Sequence, residues 1–173
     1  SAITPETARA AEIHLVYALQ LNSADPVAHR LLGRLYFLAG RFEGAIEHFE
    51  FAVERFPGEL LELAKAHLAL EQRNEAVRFG QRAVEYFHQA VLKDPLDLRV
   101  RLKLAESLMF FEQFEDALKV LEQGLAVQDS AALQNAIARI HLVWADKLAK
   151  AGNTSDRLVH IQAAMSADPN EML

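Results

Sequence analysis

Residues 26–57, PVAHRLLGRLYFLAGRFEGAIEHFEFAVERFP, decide the fold of this chain. Small and large apolar residues recur there at fixed offsets, at Leu32, Gly33, Tyr36, Gly40, Phe42, Ala45, Phe49 and Ala52. The small residues would let two antiparallel helices approach closely, and the large ones would fill the space between them. Gly40 favours the turn, and Pro57 ends the second helix because it lacks an N–H and restricts Phe56 before it. The stretch therefore predicts a pair of antiparallel helices.

The same pattern returns along the chain. One cycle closes at Asp94–Pro95, and the next keeps the offsets at Leu104, Ala105, Leu108, Phe114, Ala117, Leu121 and Gly124. A degenerate cycle follows at Trp144, Ala145, Leu148, Gly152, Ile161 and Ala164. There Arg157 takes the place of a small residue. In these residues the chain resembles the tetratricopeptide repeat (TPR) family.

The resemblance implies an all-α fold, a right-handed α-α superhelix of antiparallel helix pairs with about four and a half partly degenerate repeats. We expect a single repeat domain over residues 1–173. It would hold a half-repeat at 4–22 and repeats at approximately 26–57, 58–95, 96–128 and 130–169. Because the chain opens on the second-helix pattern of Ala11, Leu15 and Ala18, we expect it to be a fragment of a longer protein.

Two helices are predicted to be longer than the rest. Ala76 and Ala83 fit one repeat frame, whereas Phe87 and Ala90 fit a frame shifted by seven residues. Seven residues make about two helical turns, so residues 74–93 can form one helix that keeps its apolar face inward. Residues 130–151 are predicted as a second long helix, with the Asp129–Ser130 pair as its cap and Gly152 as its stop.

Composition excludes several classes of protein. The chain has 173 residues, 51% of them hydrophobic, a net charge of −6 and no cysteine. Its Lys and Arg residues are interspersed with acidic ones, so nucleic acid is not an expected partner. No apolar run approaches the roughly 20 residues of a membrane helix, and no signal segment is visible, so we expect a soluble chain without membrane insertion. The compartment, cytoplasmic or periplasmic, stays open.

The seven histidines do not predict a metal site. His14, His48 and His160 share one second-helix position, and His29 and His141 share one first-helix position. Residues at equal positions lie roughly 10 Å apart, too far to share a metal, so we interpret them as partly buried packing residues. The sequence has no HExxH motif, phosphate loop, GxSxG elbow or nucleophilic cysteine. We therefore expect neither enzymatic activity nor a cofactor.

The family resemblance implies a ligand-binding groove lined by first helices. Its residues in this chain would be Val27, Arg30, Arg34, Phe37, Leu61, Lys65, Leu68, Arg99, Leu102, Glu106, Met109, Arg139, Leu142 and Asp146. Leu61, Leu102 and Leu142 would form an apolar stripe, with Leu68 and Met109 as a second row. Arg30, Arg34 and Lys65 would attract a carboxylate or an acidic segment. In the alternative interpretation, Arg30 and Arg34 are an ordinary solvated pair and the leucines pack adjacent repeats.

The function implied is a non-catalytic scaffold that binds a peptide or protein segment in this groove and assembles a multiprotein complex. Two alternatives stay open. The chain could be a structural module that forms homo-oligomers through the apolar ends of the solenoid. It could also be a docking or regulatory region of a larger enzyme.

Overall fold

A computed structural model of the chain describes residues 5–167, and within them all regular secondary structure is helical. The helices are α1 (Pro5–Leu21), α2 (Pro26–Leu38), α3 (Phe42–Ala52), α4 (Leu60–Ala69), α5 (Arg73–Lys93), α6 (Leu98–Phe110), α7 (Phe114–Leu125), α8 (Ala131–Lys150) and α9 (Thr154–Ala167). A 3₁₀ turn at Pro57–Glu59 precedes α4. The all-α class expected from the sequence is confirmed.

The helices form two compact units that divide inside α5, at Tyr86 and Phe87. The first unit holds α1 to α4 and the beginning of α5. The second unit holds the end of α5 and α6 to α9. Each unit is built around its own helix pairs.

In the first unit the tightest contact joins α2 and α3. Ala45, Phe49 and Ala52 of α3 are fully buried. Gly33 of α2 lies so close to this face that a Cβ atom there would stand 2.6 Å from Cδ1 of Phe49. Real Cβ atoms do not approach carbon that closely, so the pair can close only with glycine at position 33.

Short-range features set where these helices begin and end. Asp25 caps α2 by accepting a hydrogen bond from the N–H of Val27 at 2.9 Å, which satisfies a donor that the helix leaves open. Gly40 has φ +71°, a conformation that only glycine adopts without strain. Pro57 ends no helix directly, because α3 already ends at Ala52 and the proline begins the 3₁₀ turn instead.

In the second unit α6 and α7 repeat the close approach around a buried arginine. Arg101 of α6 is only 4% exposed, and it donates hydrogen bonds of 2.9 Å to the carbonyl oxygens of Val120 and Pro95. A Cβ at Gly124 would lie 2.5 Å from Cδ of Arg101. The glycine therefore makes room for the arginine, which in turn satisfies two carbonyl groups.

Both long helices are present. α5 begins at Arg73 and ends at Lys93, and α8 begins at Ala131 after the N-cap residue Ser130. The Ser130 side chain makes no capping hydrogen bond. Ser130 therefore begins the helix through its extended backbone conformation and not through its hydroxyl group. Gly152 follows the end of α8 with φ +76°, as its predicted role as a helix stop requires.

The small buried residues give a direct test of the helix pairs. Ala45→Leu and Ala117→Leu each add three carbon atoms at a fully buried position. We expect each to lower the free energy of unfolding by about 1–3 kcal/mol because the facing helix must move. Urea unfolding measures the change. Ala149→Leu, at an exposed position of α8, is the control and should leave the midpoint close to that of the parent; equal midpoints for all three variants would contradict the packing described.

Candidate functional site

In the second unit, α6 and α8 are each the first helix of a helix pair. They approach each other directly as well as through α7. Trp144 of α8 stacks on Phe114, with ring centroids 5.3 Å apart. Lys147 of α8 forms an ion pair with Glu112, in the turn that joins α6 to α7. These contacts hold α8 against the turn between α6 and α7 and against the start of α7.

α6 and α8 carry the same three residue types at the same spacing. The shared order is an arginine, a leucine three positions later and an acidic residue four positions after that: Arg99, Leu102 and Glu106 on α6, then Arg139, Leu142 and Asp146 on α8. Both arginines and Asp146 are exposed, whereas Glu106 and the two leucines are half-buried. We name these six residues the paired-row face. The sequence predicts the apolar stripe that holds Leu102 and Leu142, and the arginines and acidic residues on either side of it repeat at the same spacing.

Glu106, Asp146 and Arg99 of the paired-row face each have a local partner. Glu106 pairs with Lys103 at 2.8 Å, and Asp146 pairs with Lys150 at 2.6 Å. Arg99 bonds Asp97 at 3.2 Å, with 91% of the Arg99 side chain exposed. The pKa of Asp97 is lowered, chiefly by this hydrogen bond. Exposed pairs of this kind contribute little to stability because water screens the charges, so a charged ligand can replace them at little cost.

In the first unit, Arg34 is committed to a buried carboxylate. Its Nε donates to Glu59 Oε2 at 2.9 Å, and its other contact, from an Nη atom to Oε1, measures 2.5 Å. The Glu59 side chain is 3% exposed, and this hydrogen bond raises the pKa of Arg34. A two-point bond to a buried carboxylate has a structural role, because removing the arginine leaves a desolvated charge. Arg34 therefore has a structural partner, although 54% of its side chain is exposed, and its contact with a ligand stays a prediction.

The predicted apolar stripe also loses its first member. Leu61 is fully buried in the core of the first unit, so it cannot contact a ligand. The position of Leu61 in the repeat does not show how deeply its side chain is buried. Leu102 and Leu142 remain partly accessible on helices that contact each other.

Other predicted residues of the first unit lie in mixed surroundings. The guanidinium of Arg30 lies over the ring of Phe56, 4.3 Å from its centroid. Phe37 packs between Phe42 and Phe49, which leaves only part of its ring accessible. Three further predicted residues are found at varied depth: Val27 and Leu68 are exposed and Lys65 is half-buried. In the second unit, Met109 is also half-buried.

In two of the helix pairs, a histidine of the first helix contacts a histidine of the second helix. His29 of α2 and His48 of α3 approach to 2.9 Å between their Nδ1 atoms. His141 of α8 and His160 of α9 make the same contact at 2.9 Å. Histidines at equal positions of different repeats lie too far apart to touch, whereas these histidines occupy different positions of one helix pair. They agree with the interpretation of packing residues, and add a hydrogen bond to it.

Chemistry fixes the proton positions in the first pair. Nε2 of His29 lies 3.0 Å from the carbonyl oxygen of Ser23, which can only accept. The proton of neutral His29 is therefore on Nε2, and its Nδ1 accepts a hydrogen bond from Nδ1–H of His48.

Comparison with solved structures places the fold. The chain is similar to a thermophilic TPR protein of Thermus thermophilus, at 22% identity and TM-score 0.56, over 96% of this chain and 86% of that one. It is similar to the TPR protein YrrB at 19% identity and TM-score 0.58, over 96% of this chain and 81% of YrrB. MamA matches at 13% identity and TM-score 0.57, over 96% of this chain and 92% of MamA.

Sequence comparison points the same way. A peroxisomal targeting signal receptor of Candida glabrata is 26% identical over 110 residues, which are 64% of this chain and 18% of the receptor. The match thus covers a small part of that protein.

The helix pairs and their close contacts define a helical repeat protein of the α-α class. Residues 80–140 match the family model described as tetratricopeptide repeat. With that match over part of the chain, the likeness to solved TPR structures over most of its length shows that the fold is of the tetratricopeptide repeat type. Folds of this type act as scaffolds for protein–protein interaction. Between residues 5 and 167, no helix is both long and apolar enough to cross a membrane.

The histidine pairs predict that stability falls as the solution is acidified. Burial, and then the charge of the partner histidine, lower the pKa of His48 and of His141 below the ordinary value of 6.5. The unfolded chain therefore binds more protons than the folded chain near that pH, and the free energy of unfolding decreases as pH falls from about 7.5 to about 5.5. The negative charge of Glu47 raises the pKa of His48 and so opposes this lowering. The rings next to the two pairs are Tyr36, beside His48, and Trp144, beside His160.

Thermal unfolding across this pH range measures the effect. The double variant His48→Gln/His141→Gln should show a flatter dependence of Tm on pH. His88→Gln, at an exposed position of α5, should keep the slope of the parent. The same slope in all three proteins would show that the histidine pairs do not control it.

Proposed function

We propose that this chain is an interaction scaffold that holds an extended peptide segment of a partner protein on the paired-row face of α6 and α8, and so assembles a multiprotein complex. The observation that carries the proposal is the contact between two first helices with the same arginine, leucine and acid order. Equal residues on adjacent helices make three rows across the face: one basic, one apolar and one acidic.

The three rows define the chemistry of the ligand. Half-buried Leu102 and Leu142, with Met109 about two turns beyond Leu102 on α6, offer apolar contact area to a side chain laid across them. Glu106 and Asp146 on one side favour a basic residue, and Arg99 and Arg139 on the other favour an acidic one. Complementary charges at both sides fix the direction in which the peptide lies more than they add affinity.

Proteins of similar fold support this class of ligand. YrrB is described as having an unusual peptide-binding site. The Candida glabrata protein is named as a receptor for a targeting signal. The proposal brings peptide binding from those proteins to the face that this chain's own residues define.

A peptide selection with the chain as bait tests the proposal. A displayed library of random peptides should yield sequences with an apolar residue between a basic and an acidic one. The variant Glu106→Arg/Asp146→Arg reverses the acidic row and should bind the selected peptides about tenfold or more weakly, equivalent to about 1.4 kcal/mol. Isothermal titration calorimetry measures the affinities.

The matched control is Glu115→Arg/Glu122→Arg, which makes the same charge change at exposed positions of the second helix α7. This control should bind as the parent does. Equal weakening in both variants would show a general effect of net charge, and unchanged affinity in the first variant would refute the proposed face.

A further inference from the structure

The contact between His141 of α8 and His160 of α9 brings two imidazole rings together at their Nδ1 atoms, which are 2.9 Å apart. The ring centroids are 5.1 Å apart, and both side chains are half-buried. A neutral imidazole holds its one proton on either ring nitrogen, and the other nitrogen offers a lone pair. When both histidines hold their protons on Nε2, two lone pairs therefore meet between α8 and α9.

The separation of the two nitrogens matches that of neighbouring ligands on a transition-metal ion. Bonds between an imidazole nitrogen and such an ion are about 2.0–2.1 Å long. Two nitrogens at a right angle around the ion are then about 2.8–3.0 Å apart, whereas at the tetrahedral angle they are about 3.3–3.4 Å apart. The observed 2.9 Å therefore favours ions of square-planar or tetragonal geometry, Cu²⁺ and Ni²⁺, over tetrahedral zinc.

The chain supplies two ligands at this contact. The distance that keeps histidines of equal repeat positions apart does not apply, because His141 and His160 lie on the two helices of one pair. Between residues 5 and 167, no group of three or more histidine, cysteine or acidic side chains could hold a metal ion. Water must therefore complete the coordination of an ion held here, and the contact must be open to solvent.

The α2–α3 pair shows what closes such a contact. His29 and His48 approach to the same 2.9 Å. However, the ring of Phe51 lies 4.4 Å from the ring of His29 with the planes 10° apart, and His29 is only 5% exposed. In the α8–α9 pair the position of Phe51 is taken by Ala163, three residues after His160. The methyl group of alanine leaves the contact without that aromatic cover.

The two rings of the α8–α9 contact differ in how firmly they are held. Trp144 stacks on the ring of His160, with centroids 4.0 Å apart and planes at 25°, and is itself stacked on Phe114. A ligand ring that is already fixed loses little entropy when the ion binds. His141 can turn its ring about the Cβ–Cγ bond, a torsion with a broad minimum. One fixed and one adjustable ring can thus aim both lone pairs at one ion.

We propose that His141 and His160 form a binding site for a divalent transition-metal ion, Cu²⁺ or Ni²⁺, which joins α8 to α9. Binding replaces the hydrogen bond between the rings. The histidine that held its proton on Nδ1 gives that proton to water and takes one up on Nε2, so both imidazoles stay neutral. Water molecules fill the other positions around the ion.

Titration of EDTA-stripped protein with Cu²⁺ tests the proposal, in a weakly coordinating buffer at about pH 7.5, where histidine is mostly neutral. Isothermal titration calorimetry measures the affinity and the number of ions. We expect one high-affinity ion per chain, which His141→Gln and His160→Gln each weaken about tenfold or more because each removes a ligand. Circular dichroism checks that each variant is folded.

Two controls separate this site from other histidines. His48→Gln removes a histidine from the corresponding contact of α2 and α3, and His88→Gln removes an exposed histidine of α5. Both variants should bind the ion as the parent does. Pulsed electron paramagnetic resonance of the Cu²⁺-bound parent identifies the ligands directly, and should show nitrogen couplings from two imidazoles that His141→Gln reduces to one.

Three results would overturn the proposal. One is parent affinity in both folded variants, His141→Gln and His160→Gln. The second is a spectrum of the parent with couplings from a single imidazole. The third is equal weakening in His48→Gln, because the ion would then not depend on the α8–α9 contact. Should a variant lose its helical structure, the spectrum of the parent decides.

Discussion

The close approach of two helices at small residues is the constraint on which the structure depends. At Gly33 there is no room for even one carbon atom beyond the backbone, because the Phe49 ring fills that space. The same limit recurs at Gly124, where Arg101 takes the room. Because each pair closes on its small residues, the remaining faces of its helices stay outside the pair. The first-helix residues of the paired-row face are accessible for this reason.

Local pattern was enough to predict the helices. The ends of α5 and α8 follow from the repeat spacing and, for α8, from Gly152. Neither helix contains proline, and Gly80 in α5 is the single glycine inside them. Chemistry between helices was not predictable in the same way. Glu59 is buried by Arg34 from another helix, and His29 meets a histidine nineteen residues away. Such pairs depend on side-chain directions in the folded chain, which the spacing of residues does not encode.

Those unpredicted contacts change which charges a ligand can use. A bidentate bond to a buried carboxylate is strong, whereas an exposed pair between neighbouring turns of one helix is worth a fraction of a kcal/mol. Arg34 belongs to the first kind, and Glu106 and Asp146 belong to the second. The proposed centre of ligand binding therefore moves from the arginines of α2 to α6 and α8, where apolar and charged rows lie together.

The most direct test of this account is an NMR titration of methyl-labelled protein with a peptide selected for binding. Leu102, Leu142 and Met109 lie on the first helices, whereas Leu118 and Leu121 lie on α7 and Met165 lies on α9. The account predicts that the methyl signals of the first group shift on titration while those of the second group stay near their starting positions. Shifts confined to α7 and α9 would contradict it, because the ligand would then occupy the second helices.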